Sequence, residues 1–125
     1  NLDAVLQEPG YPKEALPYER HPDRRRPEVC LGTDPVHTPP WRTAAARARL
    51  SGIGAVAENE PFAGTYVPLA RYGWDSRVAS LMVELRRDTY LIDAGASQGA
   101  WSLVASALAA LVQDVDRFLG RVIAG

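Results

Sequence analysis

The chain has 125 residues, of which 46% are hydrophobic and 23% are charged, a composition ordinary for one soluble globular domain. The 14 basic and 15 acidic residues give a formal net charge of −1, which argues against nucleic acid and anionic membranes as partners. A single cysteine excludes an internal disulfide and a cysteine-rich zinc site, and it favours a reducing, cytoplasmic location.

The N-terminal part of the chain combines a possible strand with an irregular loop. Residues 2–7, LDAVLQ, are typical of a strand joined within a sheet, which predicts further chain before them. Residues 9–27 hold five of the ten prolines and are predicted to form a surface loop without regular structure. Within it, RHPDRRRP (residues 20–27) is typical of a solvated charged loop, with a site for an anionic substrate or an acidic partner as the alternative.

The first predicted strand and helix follow this loop. Val29, Cys30 and Leu31 predict a short buried strand that stops at Gly32. Thr38 is the candidate N-cap of a helix over residues 40–50, with proline in its first turn. Four residues are predicted to share the buried face of this helix, namely Trp41, Ala44, Ala45 and Ala48.

The second half of the chain predicts two more strands and a long helix. Residues 53–59 and 78–87 are strand candidates, separated by a connection over residues 60–77 that is long enough to indicate a functional loop. The last helix is predicted over about residues 97–122, with one apolar stripe formed by Trp101, Val104, Leu108, Leu111, Val115, Phe118 and Val122. This order of elements predicts an α/β domain with one side of its sheet thinly covered.

Glu84 is unusual because it interrupts the apolar strand VASLMVELRR. Alternation places Glu84 and Arg86 on one face of this strand and Leu81, Val83 and Leu85 on the other. A carboxylate near the end of a sheet strand can serve as the general base of a hydrolase. The alternative is a solvated carboxylate, or one paired with Arg86 or Arg87, and spacing alone favours this alternative.

Two long phrases, DRRRPEVCLGTDPVHTPPW and NEPFAGTYVPLARYGWDSRVASLMVELRRDTYLID, resemble the N-formylglutamate amidohydrolase family. The resemblance covers about residues 12–93. It implies a partial three-layer α/β/α sandwich with a mixed sheet, related to the zinc carboxypeptidases. It also implies a metal-dependent hydrolase that cleaves an N-acyl amino acid such as N-formylglutamate, with a divalent metal, expected to be zinc, as cofactor.

The resemblance assigns roles to particular residues of this chain. Glu84 is the expected general base and proton shuttle. The expected substrate-binding residues are Gly64, Thr65, Arg86, Asp34 and His37. The residues themselves leave plainer alternatives, because Gly64 and Thr65 also suit a tight turn, and a lone histidine in a proline-rich turn more often forms local hydrogen bonds. Cys30 is expected to be a small core residue.

The resemblance also shows departures from the family pattern. Members are longer, so the whole chain (residues 1–125) is expected to be a single domain equivalent to their C-terminal half. Pro9 and Gly10 stand where the family has His and Ser, and Glu60 stands where it has Arg. No metal ligands can be assigned in this chain, since a catalytic zinc needs three protein ligands. The second hypothesis is therefore a truncated, inactive member acting as a binding or structural subunit, in an oligomer or with a partner that supplies the missing part.

Overall fold

A computed structural model describes residues 10–14, 24–92, 95–96 and 98–124 of the chain. The candidate strand at residues 2–7, most of the predicted loop at residues 15–23 and Pro9 lie outside the described residues. The described elements are, in chain order, β1 (Val29–Gly32), α1 (Pro40–Leu50), β2 (Val56–Glu58), β3 (Met82–Leu85), a 3₁₀ turn (Arg87–Thr89), β4 (Leu91–Ile92), β5 (Gly95–Ala96) and α2 (Gln98–Ala124).

Three of these strands form a small mixed sheet in the order β2-β1-β3. β1 pairs with β2 in parallel and with β3 in antiparallel orientation. β1 is therefore central, and every one of its four residues is buried. A second, two-stranded sheet joins β4 to β5. The three strands predicted within the described residues are confirmed, the second and third with shorter bounds, and the α/β class is confirmed as a mixed α/β fold with a small mixed sheet.

Both described helices pack on the same face of the three-stranded sheet. Val29 and Leu31 of β1 join Ala46 and Leu50 of α1 and Leu111 of α2 in one buried core cluster. Cys30 and Glu84 are register partners and alternate with these residues, so they point to the opposite face. We call this opposite face the helix-free face, since no described helix covers it. The predicted thin cover on one side of the sheet is confirmed for the described residues.

Helix α1 begins with prolines rather than with the predicted cap. Pro39 is the N-cap residue and Pro40 is the first helical residue, so Thr38 as N-cap is wrong. The Thr38 hydroxyl instead donates to the Ser80 carbonyl over 2.8 Å. The predicted α1 face is also partly wrong, because Ala44 and Ala48 are exposed whereas Thr43, Ala46 and Leu50 are buried. Alanines on several sides of this helix give a weak apolar pattern.

Helix α2 follows its predicted stripe from Val104 to Phe118, whereas Trp101 is 50% exposed and the side chain of Val122 lies outside those described. Val104 and Leu111 are buried, and Leu108 and Val115 pack against the core. Phe118 stacks on Trp41 of α1 with ring centroids 3.8 Å apart, and Arg49 of α1 forms an ion pair with Asp114. Within the described part of the chain, no helix combines the length and the apolar character needed to cross a membrane.

Candidate functional site

Glu84 lies in the middle of β3 on the helix-free face. Its register partner across β1 is Cys30, and its side chain is half-buried. The Glu84 carboxylate accepts no hydrogen bond from any described residue. The Arg86 guanidinium, which the sequence offered as a possible partner, pairs with Glu28 and Asp88 instead. Pairing of Glu84 with Arg86, one of the alternatives that the sequence left open, is therefore not formed within the described residues.

The neighbours of Glu84 on this face are poor proton acceptors. The Cys30 thiol donates to the Phe62 carbonyl over 3.2 Å, and the Tyr11 hydroxyl donates to the Pro27 carbonyl over 2.6 Å. Burial raises the pKa of both groups, and the negative charge of Glu84 raises each of them further. Both groups therefore stay protonated at neutral pH. Cys30 is confirmed as a small core residue.

The Gly64–Thr65 loop crosses the same face at the end of β1. A Cβ atom on Gly32 would collide with the Gly64 carbonyl oxygen and with the Met82 side chain, so Gly32 permits this close approach. Gly64 has φ = +85°. The Gly64 N–H points to Asn59 Oδ1 over a long 3.4 Å, and the Thr65 N–H donates to no described residue. The Thr65 N–H is therefore the backbone donor of this loop without a described acceptor, and the predicted substrate contacts of Gly64 and Thr65 stay predictions.

Ser80 holds the loop in place. The Ser80 hydroxyl donates to the Tyr66 carbonyl over 2.7 Å, so the 2.7 Å contact between Thr65 Oγ1 and Ser80 Oγ must use the Thr65 proton. The Ser80 N–H donates to the His37 carbonyl, and the Ser80 carbonyl accepts from Thr38. Ser80 thus connects the loop, the start of α1 and the approach to β3. Sequence reasoning missed this residue, since its partners are 14 to 42 positions away.

Asp34 and His37 shape the turn between β1 and α1. Asp34 Oδ1 accepts from the N–H groups of Val36 and His37 over 2.8 and 3.0 Å. The His37 ring is fully buried, and its Nε2 accepts from the Gly73 N–H over 2.9 Å. His37 Nδ1 must then carry the proton that bonds the Val78 carbonyl at 2.8 Å, which defines a neutral tautomer. These contacts favour a structural role for His37, and its predicted substrate contact stays a prediction.

Arg86 is buried in an ionic cluster rather than aimed into a cleft. Only 5% of the residue is exposed, and its guanidinium donates to Asp88, to Glu28 over 3.0 Å and to the Arg26 carbonyl over 2.5 Å. The Glu28 carboxylate also accepts from the Ala55 N–H over 2.8 Å. Burial would raise the pKa of Glu28, but these donors outweigh it and lower the pKa. Arg86 as a substrate-binding residue remains a prediction, and its contacts favour a structural role.

A cleft of about 730 Å³ opens at the carboxyl ends of the parallel strands β1 and β2. Its lining combines the ends of both strands with the first turns of α1: Thr33, Asp34, Pro35, Thr38, Pro40, Thr43, Ala44, Arg47, Glu58, Asn59 and Ala63. Asn59 accepts from the Thr33 N–H over 2.9 Å and donates to the Thr33 hydroxyl over 2.7 Å, which joins the two strand ends. Open α/β sheets bind ligands at this position. Sequence reasoning missed Asn59, whose only signal was its place after the strand.

The described residues do not fit a catalytic metal on their own. No group of three His, Cys, Asp or Glu side chains within them could hold an ion. His37 uses both ring nitrogens in hydrogen bonds, and the Cys30 thiol is buried and protonated. Zinc in a catalytic site needs three protein ligands. Hydrogen bonds of Ser80 and Asn59 connect the loop that holds Gly64 and Thr65 to the turn that holds Asp34. Glu84 is not part of this network. It lies further along β3, on the face that the loop crosses.

Comparison with known proteins matches this chain to one family. A family model described as N-formylglutamate amidohydrolase matches residues 10–91. No curated protein matches the chain. A crystal structure of N-formylglutamate amidohydrolase from Ralstonia eutropha JMP134 resembles it with a TM-score of 0.57 and 23% sequence identity. The match covers 76% of this chain and 35% of that chain, so this chain spans about a third of that protein and shares its fold over that part.

Proposed function

Because the chain belongs to the N-formylglutamate amidohydrolase family, we propose that it hydrolyses the amide bond of an N-acyl amino acid. N-formylglutamate is the substrate that the family name suggests, and formate and glutamate are the products. The observation that carries this proposal is the half-buried Glu84 carboxylate, which accepts no hydrogen bond from the described residues and lies on the helix-free face that the Gly64–Thr65 loop crosses further along the sheet.

In this proposal, Glu84 is the general base. Its carboxylate takes a proton from the attacking water and delivers it to the leaving amine, so that water adds across the C–N bond and the acid and the amine separate. Tyr11 and Cys30 cannot take this role, because burial raises the pKa of both groups and keeps them protonated.

The Gly64–Thr65 loop supplies the backbone donors. The Thr65 N–H, which donates to no described residue, would hold either the developing oxyanion or the carboxylate of the substrate. Ser80 keeps the loop in register through its bonds to Thr65 and Tyr66. Asp34, at the rim of the strand-end cleft, would contact the substrate amine, and His37 supports the turn beneath it.

Metal dependence forms a separate part of the proposal. The resemblance implies a divalent cation, with zinc expected, whose ligands would have to come from outside the described residues. Loss of hydrolysis in EDTA and its recovery on adding Zn²⁺ would support this part, and full activity in EDTA would contradict it. The same resemblance implies a relationship to the zinc carboxypeptidases and a second helical layer over the helix-free face, and the single cysteine favours a cytoplasmic location.

The test is hydrolysis of N-formyl-L-glutamate, followed by the release of glutamate and formate in equal amounts. The wild-type chain is compared with Glu84→Gln, which keeps the shape of the side chain and removes the base. We expect Glu84→Gln to lower kcat by about 10²- to 10⁴-fold. Glu14→Gln, which changes an exposed carboxyl in the same way, should leave kcat unchanged. Equal rates for wild type and Glu84→Gln would contradict the role of Glu84.

A second candidate function is a binding or structural subunit without catalysis. The observation that favours it is that two predicted substrate-binding residues use their polar groups inside the protein. Arg86 lies in its ionic cluster, and the His37 ring bonds two backbone groups. Isothermal titration with N-formyl-L-glutamate distinguishes the two functions. Binding without any release of formate would support the second candidate, and turnover would exclude it.

A further inference from the structure

The connection between β2 and β3 exposes a cluster of large apolar side chains. We define the aromatic loop as residues 66–74. Four of its side chains are largely exposed: Tyr66 at 83%, Leu69 at 92%, Tyr72 at 55% and Trp74 at 63%. Scattered exposed apolar residues are normal on soluble proteins, but four large and mostly exposed apolar side chains within nine residues of one loop indicate an interaction site.

The aromatic loop is held in one conformation by buried polar groups. Asp75 is only 4% exposed, and its carboxylate accepts from Arg71 over 2.7 Å and from Arg77 over 2.8 Å. The buried His37 ring accepts from the Gly73 N–H, and the Trp74 Nε1–H donates to the Ala70 carbonyl over 3.0 Å. The exposed side chains are therefore presented on a braced turn, which reduces the entropy lost on binding.

We propose that the aromatic loop is the contact surface between two copies of this chain. A fully exposed aromatic side chain offers about 150–250 Å². From the exposed fractions, we estimate on the order of 500 Å² per copy and about 1,000 Å² for a pair, the size of a weak, reversible interface. The exposed parts of Arg71 and Arg77 would add to this area.

The charges around the loop oppose the pairing of two like surfaces only weakly. Two arginines flank the rings, and Asp75 neutralises one of the two charges, so each copy contributes only about one net positive charge. Tyr, Trp and Arg are enriched at protein–protein interfaces. The Arg71 guanidinium lies 5.6 Å from the Trp74 ring centroid within one copy, and in a symmetric pair each copy would offer both arginines and rings to the other.

The test is the oligomeric state of the wild-type chain, measured by sedimentation velocity over about 1–200 µM, the range in which a small interface associates. We expect a concentration-dependent dimer. Leu69→Ser and the double variant Tyr66→Ser/Leu69→Ser should weaken dimerisation by at least about tenfold. Both side chains are almost fully exposed, so the thermal midpoint should stay unchanged and show that the variants fold.

Val112→Ser is the matched control, because Val112 is an apolar residue of α2 that is 67% exposed. It should leave the dimer intact. The proposal is overturned by a wild-type monomer at every concentration, by a dimer that the loop variants do not weaken, or by a dimer that Val112→Ser dissociates. A monomer that co-sediments with phosphatidylserine vesicles would also overturn it and would assign the aromatic loop to a lipid surface.

Discussion

At the scale of single residues, partners far apart along the chain decide what each charged side chain does. Arg86 meets Glu28 across 58 positions, and His37 meets Gly73 across 36. The sequence could show that Glu84 and Arg86 alternate with apolar neighbours, but not that Glu28 lies opposite Arg86. The carboxylate of Glu84 remained without such a partner among the described residues, which is why it, and not Arg86, carries the proposed chemistry.

The Arg86 cluster predicts a large loss of stability on substitution. Arg86→Met leaves the partly buried Glu28 carboxylate with one fewer donor, and breaking a pair with a buried arginine costs about 3 kcal/mol of unfolding free energy. Arg25→Met is the matched control, because Arg25 pairs with the same carboxylate from an exposed position and should cost less than about 1 kcal/mol. Urea unfolding measures both. Equal stability of Arg86→Met and wild type, with a raised KM, would instead support substrate binding by Arg86.

We expect the contribution of Asp75 to the stability of the fold to be lost in acid. Hydrogen bonds from Arg77, and then from Arg71, lower the pKa of Asp75 below its ordinary value despite its burial. A lowered folded-state pKa stabilises the fold at pH values above the unfolded-state pKa of about 3.9, and the contribution disappears as pH falls further. Asp75→Asn should therefore lower the thermal midpoint most at neutral pH. The gap between variant and wild type should narrow below about pH 4, and a constant gap would contradict this.

At the scale of elements, local patterns found the strands and helices, and non-local packing set their details. β1 and α2 were predictable because each carries a clear apolar pattern. The buried face of α1 was not predictable, because its alanines lie on several sides of the helix. In the structure, Ala46 and Leu50 are the α1 residues of the buried core cluster. The position of the Gly64–Thr65 loop over β1 was also beyond the pattern, since it depends on the missing side chain of Gly32.

Substitution of Gly32 should show how much stability is lost when that loop is displaced from β1. In Gly32→Ala, the new Cβ would collide with the Gly64 carbonyl and with Met82, so the loop must shift. We expect a loss of about 2 kcal/mol in unfolding free energy, as for other overpacked sites, together with lower hydrolysis. Gly52→Ala is the control, because a Cβ there meets nothing within 4 Å and should be neutral or stabilising. Wild-type stability of Gly32→Ala would show that the loop does not lie against β1.

At the scale of the whole molecule, the described fold has an asymmetric sheet. One face is packed by both helices, and the helix-free face holds Glu84 beneath loops. The sequence predicted this asymmetry from the small number of helices. It could not show the strand-end cleft, because the cleft forms where residues 33–44 meet residues 58–63 in space. The chain spans 35% of the solved N-formylglutamate amidohydrolase, so it contains only part of the fold that this enzyme uses.

Hydrolysis with Glu84 as general base is tested most directly by kcat/KM for N-formyl-L-glutamate in wild type and in Glu84→Gln. Formate release is followed by NMR on protein whose folding has been verified by thermal unfolding. We expect measurable turnover by the wild type and a fall of at least about 10²-fold in Glu84→Gln. The same kcat/KM in both proteins, or no formate from the wild type with and without added Zn²⁺, would contradict it.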